Sequence, residues 1–110
     1  MEIDRLKKKD IDKIFREGKD AKGGFFVLKA IRNNLGVFRL GSIISQKVSK
    51  KASVRNKIRR RLREVVRIKK KNKGEGWDIL FIALPGAEGR EFKQIKEMVE
   101  KLFGKLKIDV

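Results

Sequence analysis

The sequence predicts a single α+β domain: a two-layer α/β sandwich with helices covering a small sheet. Three observations point there. The chain has 110 residues, 40% of them hydrophobic, which suffices for one core and not two. Stretches of helical period alternate with short apolar runs, in the order helix, strands, helix, strand, helix. No linker, internal repeat or low-complexity tract interrupts them, so residues 1–110 are expected to fold as one unit.

Residues 7–17 read as a short amphipathic helix. Ile11, Ile14 and Phe15 recur at helical spacing, and Gly18 is placed to end it. Phe25 to Ile31 is short and apolar, as a strand would be. Asn33-Asn34-Leu35-Gly36 has turn chemistry, and Val37 to Ser45 reads as a second strand running antiparallel to the first across that turn. A further strand between Gly18 and Phe25 is weakly signalled, because Gly23-Gly24 interrupts it.

Residues 50–72 read as a long helix. At 100° per residue, Val54, Ile58, Leu62, Val65 and Val66 fall within an arc of about 120°. Arg59, Arg60, Arg63 and Arg67 occupy the adjoining arc, with Arg55 on its border. Asn72-Lys73-Gly74 supplies a stop. Trp77 to Leu84 is an almost unbroken apolar run, the mark of a strand buried on both faces, with Trp77 a core anchor. Pro85-Gly86 ends it. Residues 90–106 form the last helix, in which Met98 reads as core filler.

Charge narrows the function. The formal net charge is +17, from 31 basic and 14 acidic residues. The excess is concentrated. Residues 47–73 carry 14 basic side chains and one acid, Glu64, whereas residues 74–110 carry 6 basic and 7 acidic. A solvated helix face ordinarily mixes both signs. One that does not is a polyanion-binding surface. Lys69, Lys70, Lys71 and Lys73 extend it, either as phosphate contacts or as solvated charge.

Several classes are excluded. Without Cys there is no disulfide framework, thiolate metal site or Cys nucleophile. Without His the commonest general base and zinc ligand are missing. No apolar run approaches the roughly 20 residues of a membrane span, and the first residues lack the apolar stretch of a signal peptide. A cytoplasmic protein with no membrane partner is expected. Metal-assisted hydrolysis needs clustered carboxylates. Glu64 is the one acid in the basic segment and Asp78 sits in an apolar strand, so no catalytic or metal-binding set is predicted.

The run Arg55-Asn56-Lys57-Ile58-Arg59-Arg60-Arg61-Leu62-Arg63-Glu64 closely resembles the signature of the bacterial ribonuclease P protein subunits. Ser49-Lys50-Lys51-Ala52 is similar to that family's approach to the motif. Arg5-Leu6-Lys7-Lys8, Phe15 with Gly18, Phe26-Val27-Leu28 and the strand from Trp77 to Ala83 follow in matching order. The resemblance spans nearly the whole chain. It implies an α-β-β-β-α-β-α order resembling the second domain of a small-subunit ribosomal protein, with a left-handed β-α-β crossover. It also implies a function. The chain would be the protein subunit of a ribozyme that removes the 5′ leader of precursor tRNA. Catalysis and the required magnesium would belong to the RNA, and the protein itself would hold no cofactor.

Two sites follow. The basic helix offers Arg55, Lys57, Arg59, Arg60, Arg63 and Arg67, with Lys51 just before it, to the catalytic RNA, since planar Arg forks grip phosphate oxygens. Asn56 either touches RNA or braces the motif through a local hydrogen bond. The resemblance further implies a leader-binding cleft between the first helix and the sheet, with Ile11, Phe15, Val27 and Lys29 in it. Flat apolar side chains there would stack on single-stranded bases, though Ile11 and Val27 equally suit plain core packing. Ile11 stands where relatives often carry an aromatic, and Lys29 where they often carry Tyr. The expected partners are the catalytic RNA and precursor tRNA. A structural ribosomal or general RNA-binding protein is the alternative. DNA binding is disfavoured, because a strand and not a helix precedes the basic helix.

Overall fold

The computed structural model describes residues 4–69 and 76–108. Their order is β1 (Asp4–Arg5), α1 (Lys8–Glu17), β2 (Lys19–Lys22), β3 (Phe26–Asn33), β4 (Phe38–Ile43), α2 (Ala52–Lys69), β5 (Gly76–Ala83), a 3-10 turn (Pro85–Ala87) and α3 (Phe92–Leu106). The predicted elements are all present. The weakly signalled strand is β2, and β1 is a two-residue addition the sequence does not announce. The helix stop at Asn72-Lys73-Gly74 lies outside the described residues, as do Lys70 and Lys71.

The strands form one sheet in the order β1-β4-β5-β3-β2. β3 and β4 do run antiparallel, but they are not neighbours, because β5 lies between them. It pairs antiparallel with β3 (Leu28 opposite Phe81) and parallel with β4 (Leu40 opposite Ile79). The reason is burial. Seven of the eight β5 residues are buried, so only the middle of the sheet, covered on both faces, suits it.

Alternation assigns the faces. Phe26, Leu28 and Ala30 of β3, Phe38 and Leu40 of β4, and Ile79 and Phe81 of β5 meet α2 and α3 in the main core. From α2 come Ile58, Leu62, Val65 and Val66, and from α3 Ile95, Val99, Leu102 and Phe103. Met98 packs at the margin, as expected of filler, and Trp77 is buried with this cluster. Sheet, α2 and α3 make the predicted sandwich. On the opposite face α1 adds a partial third layer, seating Ile14 against Leu6 and Leu80.

Gly18 ends α1 for steric reasons. Its backbone is extended (φ −76°), which any residue adopts. A Cβ there, however, would lie 2.6 Å from the Ile14 carbonyl oxygen and 3.0 Å from that of Ala30. The tight passage from α1 into β2 therefore requires a residue without a side chain.

Candidate nucleic-acid interface

The basic side chains of α2 do not all point one way. Asn56, Lys57, Arg59, Arg60 and Arg67 are exposed, as is Lys51 just before the helix, while Arg55, Arg61 and Arg63 are half-buried. Arg55 turns back, its Nη1 donating to the Ser49 carbonyl at 2.9 Å, which fastens the loop entering α2. Asn56 accepts a hydrogen bond from Arg59 Nη1 at 2.7 Å, the local bracing that its type allows. Arg67 is matched by Glu64 at 2.6 Å, so this pair adds little to the net field. Arg61, absent from the predicted set, leaves the basic arc and donates to the Arg90 carbonyl at 2.5 Å, tying α2 to the start of α3. Its place on the helical wheel, on the flank away from Arg59, could have signalled this.

On the α1 face the helix covers only part of the sheet. Ile11 and Phe15, one helical turn apart, wall the open part. Its floor comes from strand residues of one alternation: Val27 and Lys29 of β3, Ile82 of β5, and Gly41 and Ile43 of β4, with Leu80 sealed beneath α1. Ile82 lies opposite both Val27 and Ile43 in register. The four predicted cleft residues lie on one side of the sheet, in different states. Ile11 is half-buried against the Leu6–Ile14–Leu80 cluster, and Val27 is half-buried. Phe15 remains 50% exposed although it is a large aromatic on a packed helix. The ammonium of Lys29 stands 5.2 Å from the Phe15 ring centroid, within cation–π range.

At its β4 end the depression meets the basic helix. A cavity of about 340 Å³ there is lined by Ile11, Gly41 and Ser42 together with Arg5, Arg59 and Arg63. Ile11 therefore shares with the basic helix an opening that has three guanidinium groups and no carboxylate in its lining.

A buried polar cluster holds α1 in place. Arg39 of β4 grips Asp78 of β5 with two hydrogen bonds, Nε to Oδ1 at 2.8 Å and Nη2 to Oδ2 at 2.7 Å. The same guanidinium reaches Asp10 of α1 at 3.1 Å. Asp10 also accepts the backbone N–H of Lys7, closing the first turn of the helix. Asn33 completes the set, donating to Asp78 at 2.7 Å and to the Val37 carbonyl at 3.1 Å. The Lys7 N–H and the charge of Arg39 hold the Asp10 carboxyl below its ordinary value of 3.8. The two aspartates, Asp78 first, raise the pKa of Arg39. Each oxygen is spent on structure. Among the described residues no three His, Cys, Asp or Glu side chains group closely enough to hold a metal ion.

A compact α+β domain that gathers cations on one helix has the build of an RNA-binding protein. The family model for ribonuclease P matches residues 3–107. A ribonuclease P protein component from Pelotomaculum thermopropionicum is 35% identical over 108 residues, covering 97% of this chain and 96% of its own. Among solved structures, the Staphylococcus aureus RNase P protein matches with a TM-score of 0.86 at 30% identity, covering 96% of this chain and 97% of its own. The RNase P protein from Thermotoga maritima matches with a TM-score of 0.74 at 32% identity, covering 89% and 93%. The chain belongs to the ribonuclease P protein family. It is the protein component of the holoenzyme that cleaves precursor tRNA, and its partner is ribonuclease P RNA.

Proposed function

We propose that the two surfaces divide the work of the subunit. The exposed cations of α2, Lys57, Arg59 and Arg60 foremost, neutralise phosphates of the ribonuclease P RNA, with Arg55, Arg63 and Arg67 on the flank of Arg59 and Lys51 just before the helix. Asn56 acts by bracing Arg59. The cleft walled by Ile11 and Phe15 takes the single-stranded 5′ leader of precursor tRNA. The observation that carries this division is Phe15, an aromatic left half-exposed on α1 with Lys29 of β3 against its ring. An aromatic there offers a stacking platform that core packing does not use up. Catalysis and magnesium belong to the RNA in this reading; beneath α1, Asp10 and Asp78 are bound to Arg39. The cytoplasm, where tRNA precursors are made, is the place this function requires. Among the described residues no helix is long and apolar enough to cross a membrane.

The test is reconstitution with a bacterial ribonuclease P RNA, comparing affinity for precursor and mature tRNA. Phe15→Ala removes a platform worth about 1–3 kcal/mol per base. It is expected to weaken precursor binding by about 5- to 150-fold and to leave mature tRNA, which has no leader, unchanged. An unaltered ratio in a folded variant places the leader elsewhere.

A further inference from the structure

Met98 is the one methionine of the chain besides Met1. It projects from α3, half-buried at the margin of the main core. Its thioether lies flush on the turn that joins β2 to β3. A Cβ on Gly23 would collide with Met98 Sδ and stand 3.2 Å from its Cε, and a Cβ on Gly24 would stand 3.7 Å from that Cε. The sulfur therefore fills the room that a side chain at residue 23 would take. Leu102, one helical turn along α3, borders the same spot. Polar ties complete the seat. The Gly23 N–H donates to the Phe26 carbonyl at 2.8 Å, and Lys105 of α3 donates to the Lys22 carbonyl at 2.9 Å. The seat matters to the sheet, because β2 is an edge strand of four residues whose one strand neighbour is β3.

From this seating we propose that Met98 is a site of oxidative modification, and that its sulfoxide releases the β2–β3 turn from α3. Half burial leaves the side chain within reach of a small oxidant such as a peroxide. The chain has no Cys, so no thiol competes for that oxidant. A lone pair of the sulfur attacks one peroxide oxygen. The S–O bond forms as the O–O bond breaks, and the departing hydroxide takes the proton of the transferred oxygen and leaves as water. The sulfur loses two electrons and the peroxide gains them. A thioether is apolar and adaptable, whereas a sulfoxide is polar and accepts hydrogen bonds. The product does not suit the seat. The Gly23 N–H is already given to Phe26, so it has no bond to offer the new oxygen. The oxygen then turns to water and draws the side chain off the glycines. What remains at the turn is the Lys105 bond, which is exposed. The effect stays local, because the buried Ile95, Val99, Leu102 and Phe103 still hold α3 on the sheet. The freed turn leads into β3, where Val27 pairs with Lys22 and Leu28 with Ala21.

The experiment treats the full chain with hydrogen peroxide and locates the added oxygen by peptide mass. Hydrogen exchange is then compared before and after. Exchange at the Gly23 amide is expected to quicken by about tenfold or more, while the amides of Val99, Leu102 and Phe103 keep their rates. Reduction by a methionine sulfoxide reductase is expected to restore the slow exchange. Met98→Leu, a swap that conserves volume, is expected to fold and to exchange identically with and without peroxide, although it still carries Met1. The proposal is overturned if Met98 stays reduced under peroxide that oxidises Met1. It is equally overturned if the sulfoxide forms and Gly23 exchanges as before, or if the Met98→Leu variant responds to peroxide as the parent does. Quickening by one common factor throughout α3 would also overturn it, since that is global unfolding and not release of a turn.

Discussion

Arg39→Met tests whether the cluster beneath α1 is what fixes the helix on the sheet. Methionine keeps much of the aliphatic stem and deletes the guanidinium. Asp78, its side chain 6% exposed, then keeps Asn33 as its hydrogen-bonding partner and loses its counter-charge. Removing one member of a buried pair costs about 3–5 kcal/mol, because the remaining charge stays buried. Arg39 is itself 19% exposed, so water reaches part of the site and the low end, about 3 kcal/mol, is expected. That is a large share of the 5–15 kcal/mol typical of a domain. Urea unfolding followed by the fluorescence of Trp77, the one tryptophan, reads it directly. With a slope of about 1.5 kcal/mol/M the midpoint falls by about 2 M. Adding Asp78→Asn removes the stranded charge and is expected to restore part of the loss. A single variant within 1 kcal/mol of wild type, or a double variant no better than the single, refutes the reasoning.

The other expectations follow from the same geometry. The Asp10 carboxyl titrates below 3.8 in the folded protein, so its contribution is fully present above that pH and is lost as pH falls through the depressed value. Asp10→Asn should flatten the acid limb of a stability–pH profile, and an identical limb would show that the Asp10 charge contributes nothing. If four to six phosphates are neutralised, RNA affinity should fall with salt at a log–log slope of roughly −3 to −5. Arg59→Ala with Arg60→Ala should flatten that slope by about 1.5 in a titration with ribonuclease P RNA, and an unchanged slope would move the contact off α2. Gly18→Ala sets a Cβ against two carbonyl oxygens. It should lower the melting temperature clearly, by several degrees if it costs about 1–2 kcal/mol, and a melting temperature equal to wild type would mean that the turn yields freely.

What was legible depended on whether the signal was local. The α2 stripe of Val54, Ile58, Leu62 and Val65 and its basic flank lie within a few turns of one helix, and periodicity exposes both. The apolar run of β5 announced a strand buried on both faces. Its insertion between β3 and β4 had no such signal, since the turn at residues 33–36 looks the same whether its strands pair or are held apart by a third. The Arg39–Asp78–Asp10 cluster joins residues up to 68 positions apart, and charge counting by segment averages them away. One clue was available. Arg39 and Asp78 each interrupt apolar strands, and an inward charge on a strand demands a partner. The leader cleft is implied by the family resemblance alone. That Phe15 stays exposed while Ile11 half-buries depends on how far α1 reaches across the sheet, which is a property of packing.

The central place of β5 also bears on how the molecule comes into being. Synthesis delivers β3, β4 and the basic helix α2 before the strand that unites them. Until Trp77 to Ala83 has been made, the strand with which both β3 and β4 pair is missing. The helix then has a strongly cationic flank and no finished sheet to rest its apolar stripe on. Closure is a late, long-range event that engages both edges at once, and such topologies assemble slowly. During that interval the basic segment is free to engage any nearby RNA, so the completion of one apolar strand separates indiscriminate attraction from a shaped binding surface.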